Sequence, residues 1–276
     1  MIRLALRVRR DQAELVLAEL LELAPSGVEE VDISDDVVEY AVYGPPGEIP
    51  ELPDLKAAAG GAFVEVSTTE VADDWADRWR EFHKPLRLGD RLVVRPPWEP
   101  LAPGPAGVAA LEIVIDPGRA FGTGAHATTS LCLELLLDLE PRGGAAVDLG
   151  CGSGVLAIAA SKLGWAPVTA LDYDPLSVDA TIENARVNAV NLTVERFDLR
   201  TDSVPPAELV LANLLAPLLA TYAQRLADPP PTLIASGLLR SETDHTSALF
   251  QAVGMSEINR REQGDWSALL MRRNER

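Results

Sequence analysis

The chain has 276 residues, 47% hydrophobic and 24% charged, a composition that excludes an intrinsically disordered protein and suits one large and one small folded unit. Its formal net charge of −18 sets 24 Lys and Arg against 42 Asp and Glu, a field that repels phosphate backbones and attracts basic partners. The longest apolar run, residues 209–220, is broken by Asn213 and Pro217 and falls short of the ~20 residues of a membrane helix; the only cysteines are Cys132 and Cys151, so a membrane span, a disulfide framework and a metal site are all unexpected.

Residues 2–8 alternate apolar and polar side chains as a strand does, without the basic segment and long apolar stretch of an export signal, so a cytoplasmic protein is expected. Residues 11–23 carry apolar positions at helical spacing, and 28–33 and 37–43 read as strands. Gly and Pro at 44–47 interrupt the pattern, after which a short helix at 52–59 and a strand at 62–68 complete β-α-β-β-α-β, the ferredoxin-like arrangement, for a small α+β domain at 1–70. Five basic against fifteen acidic residues make this the most acidic part of the chain.

A Trp-rich helix at 72–82, a strand at 91–95 and a Pro- and Gly-rich stretch at 96–107 form a connector over 71–107, in which Trp75, Trp79 and Trp98 are expected to pack. The larger domain, 108–276, begins with a strand at 111–115. Strands near 145–148, 169–172, 209–212 and 232–236 then alternate with helices near 129–139, 155–163, 175–188 and 216–226. That alternation predicts a parallel sheet covered on both faces, and two last strands follow at 255–261 and 266–272.

Residues 147–154 read Val-Asp-Leu-Gly-Cys-Gly-Ser-Gly, and Asp172 closes the next apolar strand. Glycines at Gly150, Gly152 and Gly154 let backbone approach a ligand closely, the following helix turns its N–H groups to the same loop, and an acid at the next strand tip can accept from both ribose hydroxyls. A nucleoside ligand follows. The dinucleotide fingerprint requires glycine where Val155 stands, so the pyrophosphate reading lacks its third element, although the loop and Asp172 alone leave a dehydrogenase open.

The segment from Asp116 to Thr129 holds three glycines, three threonines and a histidine before an apolar helix, which suits wrapping a polar ligand, with Thr128 or Thr129 as helix cap. Asn213 ends the fourth strand, where an isolated Asn is usually a turn former, although a side-chain amide there could hold a nucleophilic nitrogen by its hydrogen. His126 is expected to make a structural hydrogen bond rather than act as general base, and Cys151 to be a small buried filler.

The run 115–129, the loop at 148–154, Asp172-Tyr173-Asp174-Pro175 and Ala212-Asn213-Leu214-Leu215-Ala216 together resemble the ribosomal-protein L-eleven methyltransferase (PrmA) family, as do Asp74-Trp75, the stretch 83–89 and Pro97-Trp98 in the connector. The resemblance implies a Rossmann-like S-adenosylmethionine-dependent methyltransferase domain with a seven-stranded mixed sheet, in which the two last strands are the closing antiparallel pair. It implies S-adenosyl-L-methionine as cofactor, contacted at Thr129, Gly150, Asp172 and Asn213, with Gly152 and the loop residues Phe121, Gly122 and Thr123 beside them, and Asn213 as the catalytic residue.

The implied reaction is methyl transfer to amino groups, lysine side chains and the N-terminus, of a basic ribosomal protein of the large subunit recognised by the small domain, by a monomer without direct nucleic-acid or membrane contact. Ala125, Ala127 and Leu214 depart from the family's usual Thr, Pro and Ile. Alternatives are a lysine methyltransferase for another protein, such as an electron-transfer flavoprotein, and a non-catalytic cofactor-binding module.

Overall fold

The computed structural model describes residues 2–13, 16, 17, 20, 28–34, 36–44, 60–70, 84–101, 110–117, 126–139 and 143–275. The chain divides into two units, Met1–Phe82 and His83–Arg276.

In the first unit, β1 (Ile2–Arg9), β2 (Glu29–Ser34), β3 (Val37–Gly44) and β4 (Phe63–Glu70) form an antiparallel sheet in the order β2-β3-β1-β4. This is the strand order and direction of the ferredoxin-like arrangement. Leu4, Leu6 and Val8 of β1 point to one face and pack with Val38 and Tyr40 and with the helical residues Ala13, Val16 and Leu20. The Tyr40 hydroxyl donates to the Ala13 carbonyl at 3.1 Å, which satisfies the polar end of a buried ring. On the alternate positions, Arg3 and Arg7 bind the Glu39 carboxylate at 2.6 and 2.7 Å, and the bond from Arg3 leads in drawing its pKa down. The expected helices at 52–59 and 72–82 lie outside the described residues, as does most of 11–23.

The second unit opens with a small sheet of β5 (Leu86–Leu88), β6 (Leu92–Arg95) and β7 (Leu111–Val114), in which β5 and β6 form a hairpin and β6 runs parallel to β7. Within the stretch expected as a connector, β6 therefore pairs with the strand that follows it, with β5 on its other edge. β5 was not anticipated, because three residues are too few to display a period. Trp98 is half-buried, while Trp75 and Trp79 lie outside the described residues.

The main sheet has seven strands in the order β10-β9-β8-β11-β12-β14-β13. These are β8 (Ala146–Leu149), β9 (Val168–Asp172), β10 (Thr193–Arg196), β11 (Leu209–Asn213), β12 (Thr232–Leu239), β13 (Met255–Gln263) and β14 (Trp266–Arg273). The first five strands run parallel, and β14 inserts antiparallel between β12 and β13. The helices are α1 (Ala127–Leu137), α2 (Val155–Lys162), α3 (Pro175–Val187), α4 (Ala216–Arg225) and α5 (Arg240–Ala252). α5 and β10 were not read from the sequence. α5 is predominantly polar with only Thr243, Thr246, Ser247 and Phe250 buried, and β10 is a mostly exposed edge strand, so neither displays a strong apolar period.

Side chains leave the sheet alternately to two cores, as a strand period of two demands. Ala146, Ala170, Leu211, Ile234 and Ala268 join α1 and α2 on one face, while Val147, Leu171, Val210, Leu233 and Leu269 join α4 and α5 on the other. Both faces are covered, which is why the parallel strands are almost continuously apolar. The chain reverses its winding direction between adjacent β8 and β11, and in such sheets the crevice at the carboxyl ends of those two strands is where ligands bind.

Candidate active site at the carboxyl edge of the sheet

The glycine loop leaves β8 at that crevice. Gly150 and Cys151 donate their N–H groups to the Leu171 carbonyl at 2.8 and 3.1 Å, so the loop is sewn to the end of β9. Gly150 has φ +69°, which favours glycine, and Leu214 Cδ2 lies 2.4 Å from where a Cβ there would stand. Gly152 N–H donates to Asp172 Oδ2 at 2.9 Å, and Asp174 N–H donates to Asp172 Oδ1 at 3.0 Å. Burial raises the pKa of Asp172 most strongly, the two N–H groups oppose it, and the charge of Asp174 adds to it.

Directly beneath the loop, Asp148 is 1% exposed. Its Oδ2 accepts the Ala157 N–H of the first turn of α2 at 3.0 Å, while Oδ1 has no partner among the described residues. Burial pushes its pKa up to about 7, against the Ala157 bond and helped by the charge of Asp172.

Asn213 ends β11 and its Nδ2 donates to Thr129 Oγ1 at 3.3 Å, which leaves the amide oxygen of Asn213 free of that bond. Thr129 lies in the first turn of α1, but neither it nor Thr128 is the cap expected from sequence. The cap is His126, whose Nδ1 accepts the Thr128 N–H at 3.4 Å and sits 2.8 Å from Thr128 Oγ1. The imidazole also meets the Trp266 ring edge-on at a centroid distance of 4.9 Å, and burial lowers its pKa. His126 is thus a structural residue, neutral at pH 7. Cys151 is buried, its Sγ 3.2 Å from Thr181 Oγ1 and its pKa raised by burial, as a filler's would be.

A series of contacts therefore brings together Thr129, Asn213, Gly150, Gly152 and Asp172. Phe121, Gly122 and Thr123 lie outside the described residues. Beside the five is a cavity of about 320 Å³ lined by Gly150, Asp172, Phe197, Leu199, Leu214 and Leu218, among others. Its wall after β10 was not read from the sequence, for the same reason that β10 was missed. A larger cavity of about 1040 Å³ opens among Trp165, Glu208, Thr232 and Arg272, at the other end of the sheet from the glycine loop.

Two supporting residues were also missed. Asn184, 3% exposed, donates to the Ser153 carbonyl at 2.8 Å and accepts the Asp116 N–H at 3.1 Å, so one amide joins the glycine loop to the start of the 116–129 segment. One turn on, Asn188 exchanges hydrogen bonds with both backbone groups of Val114, at 2.9 and 2.6 Å. Asn184 is a poor helix former inside α3, and that local cost was a legible signal of a tertiary role, whereas Asn188 is the C-cap of α3 and carries no such cost. Among the described residues no group of three or more His, Cys, Asp or Glu is arranged to hold a metal ion, and no helix is long and apolar enough to cross a membrane.

The seven-stranded order with its terminal antiparallel insertion, joined to a glycine loop facing an acidic strand tip, defines a Rossmann-like methyltransferase domain, here preceded by a ferredoxin-like one. The profile of the family described as Ribosomal protein L11 methyltransferase (PrmA) matches residues 6–274, and the chain belongs to that family. It is 41% identical over 202 residues to a ribosomal protein L11 methyltransferase of Symbiobacterium thermophilum, a match covering 72% of this chain and 65% of that protein. A homonymous protein of Pelotomaculum thermopropionicum is 41% identical over 218 residues, covering 77% of this chain and 70% of its own. The chain thus spans about two thirds of the length of these relatives. Among solved structures, a ribosomal protein L11 methylase from Lactobacillus delbrueckii subsp. bulgaricus superposes with a TM-score of 0.64 at 28% identity, covering 70% of this chain and all of that one.

Proposed function

We propose that the chain transfers methyl groups from S-adenosylmethionine to amino nitrogens of ribosomal protein L11, lysine side chains and the N-terminal amine among them. The observation that carries this reading is the junction of Asn213 with Thr129 beside the Gly150–Asp172 cradle, in a member of this family.

The residues present fit the cofactor. Gly150 is exposed and lines the cavity with Asp172. Each oxygen of Asp172 carries one N–H and retains a lone pair for a ribose hydroxyl. The cavity past Asp172, walled by Phe197, Leu199, Leu214 and Leu218, offers apolar faces to a purine. Gly152 and Thr129 complete the set that would hold the cofactor. The cofactor, when bound, supplies an electrophilic methyl group on a sulfonium.

The protein's own task is to present a neutral amine. A lysine with a pKa near 10.4 is protonated at pH 7, and removing that proton costs about 4 to 5 kcal/mol. Desolvation of the amine favours the neutral form, and fixed placement supplies much of the remaining acceleration. With its NH2 donated to Thr129, Asn213 turns its carbonyl oxygen to accept an N–H of that amine and so aim the nitrogen lone pair. No side chain need act as a dedicated base; His126 is committed to capping α1.

We assign recognition of the protein substrate to the ferredoxin-like unit, whose acidity attracts a basic protein. Incubation with radiolabelled S-adenosylmethionine and separated large-subunit ribosomal proteins tests the whole reading: label on L11 alone is expected. Label on a different protein, or none anywhere, would reject L11 as substrate.

A further inference from the structure

The pocket assigned above to the nucleoside has one wall made by a turn. Phe197, Asp198, Leu199 and Arg200 line it, and the turn is closed upon itself by carboxylates. Asp198 N–H donates to Asp202 Oδ2 at 2.8 Å, the Thr201 and Asp202 N–H groups donate to the Asp198 carbonyl at 3.0 and 2.8 Å, and Arg200 chelates the Asp198 carboxylate at 2.9 and 3.0 Å. These bonds set the turn's shape but not its place relative to the rest of the pocket.

Its start is held to β9 by the Phe197 N–H, which donates to the Asp172 carbonyl at 2.7 Å, and Arg200 lies over the Tyr173 ring at 5.3 Å; its far side is held to α4 by Arg225. From the last turn of α4 its guanidinium donates to three successive carbonyls, from NH1 to Arg200 at 2.7 Å and from NH2 to Thr201 at 3.0 Å and Asp202 at 2.9 Å. α4 also carries Leu218 into the pocket and begins just after Leu214, so two segments that line the pocket converge on one short helix. The separation along α4 from Leu218 to Arg225 is about 10 Å at the usual rise per residue. A planar fork with five donors suits three carbonyls at once, whereas an ammonium is a point donor.

We propose that Arg225 is a positioning residue for the nucleoside pocket, clamping the 198–202 turn to α4 so that the wall is set before the cofactor arrives. Preorganisation raises affinity because binding then draws on a conformation already populated; if losing the clamp leaves about a tenth of molecules with the wall in place, the dissociation constant rises about tenfold. The effect falls on binding and not on the methyl-transfer step, since the turn lies at the nucleoside and Asn213 is on another strand.

This inference rests on the pocket assignment made under the proposed function, and the test separates the two. Arg225→Met, Arg225→Lys and, as a control, Arg186→Met are made in the full chain. Arg186 occupies the corresponding last turn of α3 and, among the described residues, its side chain makes only a 3.8 Å ion pair with Glu183. Each is titrated calorimetrically with S-adenosylhomocysteine, and amide hydrogen exchange is followed over 198–203 without ligand. The expected result is about tenfold weaker binding for Arg225→Met, a smaller loss for Arg225→Lys, none for Arg186→Met, faster exchange at 198–203 in Arg225→Met, and kcat at saturating donor within about twofold. Affinity within twofold of the parent in Arg225→Met, or an equal loss in Arg186→Met, overturns the proposal. If the parent itself binds no S-adenosylhomocysteine, the pocket assignment falls; exchange at 198–203 that Arg225→Met leaves unaltered overturns the clamp in either case.

Discussion

Asn213 Nδ2 donates to Thr129 Oγ1 at 3.3 Å, a bond between residues 84 positions apart that joins the end of β11 to the first turn of α1. It fixes which end of the amide is turned away from α1. Removing the amide in Asn213→Ala should lower kcat by about 10²-fold, the scale of losing substrate placement. Thr129→Val leaves the NH2 without its acceptor and should cost roughly tenfold, while Thr129→Ser keeps the hydroxyl and most of the activity. Steady-state kinetics decide this; a Thr129→Ser variant as impaired as Thr129→Val would reject the orienting role.

Asp148 ties pH to stability. Its folded pKa of about 7 stands above the ordinary value of 3.8, so the native state holds this proton more tightly than the unfolded chain. Its contribution is complete below pH 4 and is lost as pH rises through 7, by an amount on the order of a few kcal/mol. Asp172 is shifted in the same direction. Asp148→Asn keeps a carbonyl oxygen for Ala157 N–H and removes the titration. Its Tm should therefore fall less steeply between pH 4 and 7.5 than the parent's, and identical slopes in thermal scans would show that Asp148 does not carry the effect.

Gly237 supports the site from behind. At φ +84°, in the irregular register of β12, an added Cβ would lie 2.4 Å from the Leu214 carbonyl oxygen. Backbone there must move, and Leu214 follows Asn213 directly. Gly237→Ala is expected to destabilise by about 1 to 3 kcal/mol and to reduce activity further than its stability loss explains. Chemical denaturation alongside kinetics at a temperature where the variant is folded distinguishes the two effects.

His126 has the opposite profile. His126→Ala removes a helix cap worth about 1 kcal/mol and the edge contact with Trp266, so Tm should drop. Because burial keeps the ring neutral near pH 7, the shape of the pH–rate profile should stay as in the parent. Loss of an ascending limb in the profile of His126→Ala would instead identify a base.

The parallel sheet, the glycine loop and the acidic strand tip were legible because each has a local cause, continuous apolar strands and positive-φ glycines, whereas the antiparallel pairing of the last two strands followed from the family resemblance, since β14 is almost continuously buried and β13 mostly exposed. The same reasoning passed over β5, β10 and α5, whose short or polar sequences carry little apolar period. The cap of α1 was misread for a related reason: threonine is the commoner cap, but His126 holds that position and its ring is supported by Trp266, which is distant in sequence.

By itself the sequence determined the class of fold, the nucleoside-type ligand loop and the residues Gly150, Gly152, Asp172, Asn213 and Thr129 as candidates, since all lie in short motifs whose backbone demands are local. Only the tertiary structure decided which of them touch. The Asn213–Thr129 bond, the Asn184 bridge between two loops and the Arg225 clamp each join distant segments. Their geometry depends on how helices settle on the two faces of the sheet, and packing of that kind is a property of the whole domain.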